Sequence, residues 1–394
     1  MADRHSLGTR CVHAGRAEDA YGAPRTPIYN TTTFAFSSTE ALTAAAETAD
    51  TEPVYTRYGG NPSLLAVERQ IADLENGEQG LLFSAGMAAI SAVCLAHGNR
   101  GVVCIGNAYG GTLGLIANRL AELGWRGTTL DCQAWEALDA ELAAGCGLVI
   151  LETPTNPDLT VQDIQAIAER VHRGGGLLAI DNTFATPVNQ TPLRLGADLV
   201  MHSATKFLGG HSDLTAGAVV ANGDLLGPVL DWRATLGQAP APETAALLGR
   251  SLQTLAVRME RHNANAQRVA EAMAGDSRVR GVAYPGLPGT DNHRVAVRQM
   301  AGFGGMVTLA LDADGRSTTA VADQLRLFLN APSLGGVESL VTQPGRTSHA
   351  DLTAAEREAR GIGDNLLRLS VGIEDAEDLI TDLKDALSAG IGPA

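Results

Sequence analysis

The 394-residue chain is predicted to be an α/β protein with two units. The larger holds a mostly parallel sheet covered on both faces, and a smaller α/β domain follows it. Three observations predict this. Short, near-continuous apolar runs of strand length alternate with longer helix-like stretches. The runs lack the in–out alternation of a half-exposed strand, as expected of strands buried on both sides. Around residues 240–275 the alternation gives way to long helices, which separates the two units.

The elements follow in order. Residues 1–55 read as a turn-rich arm with Pro24, Pro27 and Pro53 and a short helix-like alanine run near 41–49. Pro62 opens a helix in which apolar residues from Leu64 to Leu74 recur at amphipathic spacing. Strands are expected at 80–83, 101–105, 128–131, 148–151, 177–180 and 199–201, with helices near 86–97, 111–123, 134–144 and 162–173. Long helices run from Thr244 to Met259 and on through Ala272; a strand-like run covers 302–311, and a closing helix spans 376–389. The expected division is an arm at 1–55, a large domain at 56–250 and a C-terminal domain at 251–394. There is no internal repeat and no low-complexity tract.

Composition narrows the function. A net charge of −15 argues against nucleic acid or an anionic membrane as partner. No apolar run approaches the ~18–20 residues needed to span a bilayer. Met1-Ala2-Asp3-Arg4-His5 lacks the basic and apolar pattern of a secretory leader. The five cysteines, at 11, 94, 104, 132 and 146, form no CxxC pair, which fits reduced thiols in a cytoplasm. Cys104 and Cys146 sit in apolar runs and are expected in the core.

Of 29 basic residues only Lys206 and Lys384 are lysine, so arginine serves wherever positive charge alone is needed. Lysine, unlike arginine, can deprotonate and condense with a carbonyl. Lys384 reads as an exposed helix position, whereas Lys206 follows a strand and a hydroxyl cluster. In open parallel sheets ligands collect beyond the C-terminal strand ends. There, Ser84-Ala85-Gly86-Met87 opens a helix whose N-terminus suits a phosphate, although a tight strand–helix turn reads the same way. Asp181 ends a buried strand, where a carboxylate needs a cation or else caps a turn. Ser203-Ala204-Thr205-Lys206 brings two hydroxyls to one amine, a pattern that can hold a phosphate ester while the amine condenses with an adjacent aldehyde. Gly209-Gly210 lets the backbone turn closely. His202 and His211 fit no usual zinc spacing, and no metal is expected.

The run Ser203-Ala204-Thr205-Lys206-Phe207-Leu208-Gly209-Gly210-His211-Ser212-Asp213, with Asp181-Asn182-Thr183-Phe184, resembles the signature of the Cys/Met-metabolism enzymes dependent on pyridoxal 5′-phosphate (PLP). This is the trans-sulfuration group of cystathionine γ-synthases, cystathionine lyases and methionine γ-lyases. The resemblance covers nearly the whole chain and includes Tyr55-Thr56-Arg57, Tyr109-Gly110-Gly111-Thr112, Glu152-Thr153-Pro154-Thr155-Asn156-Pro157 and Arg368-Leu369-Ser370-Val371-Gly372. It implies the aspartate-aminotransferase-like fold (type I), with a mostly parallel seven-stranded sheet.

The resemblance also implies roles. Lys206 would carry PLP as a Schiff base and shuttle protons. Gly86 and Met87 amides, with Ser203 and Thr205, would hold its phosphate, and Tyr55 and Arg57 would complete that site from a neighbouring subunit. Asp181 would pair with the pyridinium, Asn156 with the 3′-oxygen, and Tyr109 would stack on the ring and act as acid or base. Arg368 would clamp the substrate carboxylate with help from Ser333. A homotetramer, a dimer of dimers with shared sites, is the implied assembly.

Four departures bear on the substrate. Gly111 stands where methionine γ-lyases have a cysteine. Ala331-Pro332 replaces the Ala-Glu of many cystathionine-using members. Gln343-Pro344-Gly345-Arg346-Thr347-Ser348-His349 differs from the common Pro-Ala-x-Met-Thr-His, and Tyr58-Gly59-Gly60-Asn61 is one glycine longer than the usual loop. The expected function is γ-elimination or γ-replacement on an amino acid with a small or unusual γ-substituent, γ-halo and vinylic amino acids included. Alternatives are an ordinary cystathionine γ-lyase or γ-synthase, a β-lyase acting on a Cβ–S bond and, remotely, a non-enzymatic regulator.

Overall fold

The structure is a computed structural model that describes residues 4–16, 19–47, 52–350 and 353–393. Its larger sheet has the strands β1 (Gln79–Phe83), β2 (Val102–Ile105), β3 (Gly127–Leu130), β4 (Leu148–Glu152), β5 (Leu177–Asp181), β6 (Leu199–Ser203) and β7 (Gly217–Ala221). They lie in the order β1-β7-β6-β5-β4-β2-β3, and only β7 runs against its neighbours. β7 is absent from the strands expected above. It follows β6 through a loop rather than a helix, so the alternation that reveals the other strands is broken there.

Each buried strand feeds two cores. On one face Leu81, Phe83, Cys104, Ile150, Ala179 and Met201 pack under the helix α2 (Gly86–His97), which contributes Ile90 and Val93. On the opposite face Leu82, Ala218 and Val220 meet the helix α1 (Pro62–Glu75), while Ile105, Leu151 and Ile180 meet α3 (Trp135–Ala143) and α4 (Ile164–Arg173). The largely apolar character of these strands is what two covered faces require. Asn61 caps α1 by accepting from Ser63 N–H, with Pro62 at the first helical position.

Beyond β7 come α5 (Leu226–Leu236), α6 (Pro242–Leu252) and α7 (Leu255–Ala274). The long helical run expected from Thr244 is thus two helices, broken at residues 253–254. A second sheet, β8 (Val279–Ala283), β9 (Met306–Leu311), β10 (Leu329–Asn330), β11 (Leu340–Thr342) and β12 (Leu366–Ser370), has the order β10-β11-β12-β9-β8. It packs against α7 and α8 (Ala376–Gly390) through Val269, Met273, Leu379, Leu383 and Leu387. The division proposed at residue 250 falls within the last turn of α6. The arm holds a helix at Leu7–His13, which the sequence does not reveal, and the expected one at Thr39–Ala46; residues 48 and 49 of that expected element, like residues 1–3, lie outside the described residues. All five cysteines are free, with Cys104 and Cys146 in the core. No described helix is long and apolar enough to cross a membrane.

Candidate active site

The parallel strands β4, β5 and β6 end side by side, and β1, two strands from β6 across β7, points the same way. Glu152, Asp181, Ser203 and the start of α2 therefore converge at one sheet edge, where an open parallel sheet binds ligands. They line a cavity of about 560 Å³ together with Met87, Tyr109, Asn156, Thr205, Lys206, Pro332, Ser333 and Arg368. The chain's own folding thus brings eleven of the expected site residues to one place. Three do not join them: Tyr55, Arg57 and Gly111.

Lys206 follows β6 and is largely buried. Its Nζ donates to Ser333 Oγ at 2.6 Å. Burial first, and the nearby Arg368 guanidinium second, lower its pKa to about 8. Ser333 holds a left-handed φ of +101°, which costs a non-glycine residue energy. That conformation lets one residue serve two cations, because the Ser333 carbonyl also accepts from Arg368 Nη2 at 3.2 Å. Arg368, on β12, donates through Nη1 to Asn156 Oδ1 at 2.9 Å and is 5% exposed. Burial lowers its pKa to about 10.

The first amides of α2 have no intrahelical acceptor, and Ala85 places no side chain over them. A Cβ on Gly86 would lie 2.7 Å from Ser203 Cβ and 2.9 Å from its Oγ, so only glycine lets the helix start approach that hydroxyl. Thr205 Oγ1 lines the cavity while bonded to the main chain of Ala216, accepting from its N–H at 3.0 Å and donating to its carbonyl at 3.2 Å. Asp181 accepts from the Thr183 hydroxyl at 2.5 Å and the Thr183 amide at 3.1 Å, and burial raises its carboxyl above the ordinary range. These features fit PLP: a phosphate-sized donor cradle, an amine that deprotonates readily, and a buried carboxylate with no side-chain cation bonded to it among the described residues.

Glu152, which lies in the Glu152–Pro157 motif, also lines the cavity. It pairs in register with Asp181, and its Oε2 accepts from the Tyr109 amide at 2.8 Å. Burial, then Asp181, raises its carboxyl well above the ordinary range. The rule that flags Asp181, a carboxylate closing a buried strand, flags Glu152 equally. Thr183, which fixes Asp181, had no such signal.

Gly111 lies behind the site, where a Cβ would press on the Tyr109 ring at 2.6 Å and on Met87 Sδ at 3.0 Å. It is not among the residues that line the cavity. Tyr55 is 39% exposed, and it lines a separate surface hollow with Arg57 and Tyr58. Arg346 is exposed outside the cavity, whereas its neighbours Thr347 and Ser348 line it. His202 turns to the opposite face of the sheet, where Nε2 meets Glu75 Oε1 at 2.6 Å, far from a metal-ligand role with His211.

The chain matches the family described as Cys/Met metabolism PLP-dependent enzyme over residues 8–388. It is 42% identical to a cystathionine beta-lyase of Lactococcus lactis subsp. cremoris, covering 97% of this chain and 99% of the relative. It is also 42% identical to a cystathionine gamma-synthase of Mycobacterium leprae, covering 97% of each. The structure superposes with a TM-score of 0.92, at 40% identity and 98% coverage of both chains, on cystathionine gamma synthase from Xanthomonas oryzae in complex with aminoacrylate and cysteine.

Proposed function

Because the chain belongs to the Cys/Met metabolism PLP-dependent enzymes, we propose that it catalyses γ-elimination or γ-replacement on an amino acid whose γ-substituent is small or uncharged. The observation that carries this reading is the cavity rim. Pro332 stands there exposed, and the carboxylates lining the cavity are Glu152 and Asp181, both at strand ends on its floor. The rim therefore offers no carboxylate to an ammonium at the far end of a substrate, because both lining carboxylates lie on the floor.

When bound, PLP supplies an electron sink that lets protons leave Cα and Cβ and a γ-substituent depart. Lys206 anchors it and moves those protons; an amine with a pKa of about 8 exchanges a proton near neutrality. Arg368, fixed by Asn156 and Ser333, holds the substrate carboxylate through its planar fork. Asp181, held by Thr183, would receive the pyridinium, and Asn156 would meet the 3′-oxygen. The Gly86 and Met87 amides with Ser203 and Thr205 would receive the phosphate. Tyr109, whose main chain is pinned by Glu152, covers the ring and serves the leaving group. Tyr55 and Arg57 are exposed and lie apart from their own chain's cavity, which supports their completing a neighbour's site in a cytoplasmic homotetramer with shared sites.

Relatives that bear cystathionine in their names favour a second reading, turnover of cystathionine itself. Assaying 2-oxo acid release and replacement products from cystathionine, methionine, O-acyl-homoserines and γ-halo amino acids separates the two. Preference for the small or uncharged substituents supports the proposal. Efficient turnover of cystathionine alone overturns it, and pyruvate as the only oxo acid assigns a β-lyase.

A further inference from the structure

The extra glycine of the 58–61 loop sits over a buried cation. Arg233, on α5, is 0% exposed and forms an ion pair with Glu68 of α1. Its Nη1 donates to the Leu82 carbonyl of β1 at 3.0 Å, and its Nη2 reaches the Tyr58 carbonyl at 3.4 Å. Gly59, at a left-handed φ of +103°, lies against the same guanidinium, so that a Cβ there would overlap it. One residue further along α5, the Ala234 carbonyl accepts from Arg57 Nη1 at 2.6 Å. The Arg57 guanidinium in turn lies 4.7 Å from the centre of the Tyr58 ring. The end of α5 therefore grips the Tyr55–Tyr58 turn at its backbone and at its cation.

The same helix end holds the start of the chain's own phosphate cradle. The Arg233 carbonyl accepts from the Gln238 amide at 2.9 Å, and the Gln238 carbonyl accepts from the Ser84 amide at 2.7 Å. We propose that Arg233, with Gly59 seated on it, is a positioning residue that sets the reach of Tyr55 and Arg57 toward the PLP phosphate of the neighbouring subunit. This rests on the reading that Tyr55 and Arg57 act across a subunit interface. The glycine pair is then a fitted part of the device, because a side chain at Gly59 would lift the turn off its support.

Two variants test it. Arg233→Lys keeps a cation beside Glu68 but cannot also span to Tyr58. Gly59→Ala leaves the Arg233–Glu68 pair in place and displaces the turn. Each is expected to weaken PLP retention about tenfold or more, the size of losing a hydrogen bond to a charged group. Both substitutions disturb a buried site, so the melting temperature of the apoprotein should fall somewhat, but the chain should stay folded and oligomeric at the assay temperature and lose PLP well before it unfolds. PLP affinity equal to the parent in both variants overturns the proposal, as does a loss of PLP matched by unfolding in both.

Mixed dimers separate the proposal from the reading beneath it. A Lys206→Ala chain, which lends an intact turn but cannot bind PLP covalently, is paired with a chain carrying either Arg57→Ala or Gly59→Ala. The absorbance of lysine-bound cofactor is then followed. Rescue of both chains to parental affinity supports the proposal. Rescue of Arg57→Ala alone leaves the cross-subunit reading standing and overturns the role of Arg233 and Gly59. Rescue of neither overturns both.

Discussion

The amine of Lys206 offers a quantitative test that needs no substrate. Burial, aided by Arg368, lowers its pKa from 10.5 to about 8. At pH 7 about a tenth of the amine is then neutral, against roughly 0.03% for an ordinary lysine, a gain of about 300-fold in the reactive form. The sign follows from desolvation, which penalises the charged form of a base. Capture of PLP by apoprotein, followed by absorbance from about pH 6 to about pH 10 and corrected for the reaction of PLP with a small primary amine, should rise with a midpoint near 8. Arg368→Met removes the lesser cause and moves the midpoint upward, toward but not to the ordinary value. A midpoint at that of ordinary lysine, or equal capture by a Lys206→Ala variant, refutes the reasoning.

Two further outcomes follow from the cavity floor and its clamp. The Glu152 carboxyl is held well above its ordinary pKa, so its charged form weakens the folded state increasingly as pH rises above about 4.3, the unfolded value. Glu152→Gln keeps an acceptor for the Tyr109 amide and removes that charge, so its melting temperature at alkaline pH should match or exceed the parent's. Glu152→Ala takes the acceptor away and should cost about 1–3 kcal/mol by denaturant unfolding. An ammonium has three donors, so Arg368→Lys cannot bond Asn156, the Ser333 carbonyl and both oxygens of a carboxylate at once. It should raise KM by roughly tenfold to a hundredfold while PLP stays bound, as measured by steady-state kinetics and cofactor absorbance.

The large sheet was legible because its strands are apolar on both faces and alternate with helices, two signals that agree. β7 escaped because no helix separates it from β6, so the alternation that reveals the other strands is missing there. In the second sheet β10 and β11 escaped because they have two and three residues, below the length at which periodicity speaks, and β8 and β12 escaped because no regular β–α alternation frames them. In the site, Lys206 and its hydroxyls stood out by composition and spacing, whereas Tyr109, Asn156 and Arg368 became candidates only through resemblance. The bond from Lys206 to Ser333 joins residues 127 apart, and that from Arg368 to Asn156 joins residues 212 apart. Such contacts are set by the packing of one sheet against the other and leave no local pattern. The extra glycine was visible as an added residue, but its reason, Arg233 beneath it, exists only in the folded chain.

Lys206 is the anchor on which the whole reading depends, and the chain's scarcity of lysine makes it directly testable. Borohydride reduction of the PLP-loaded protein, followed by peptide mass mapping, should place a single pyridoxyl group on the peptide containing Lys206. A label on Lys384, or none retained, would contradict the account.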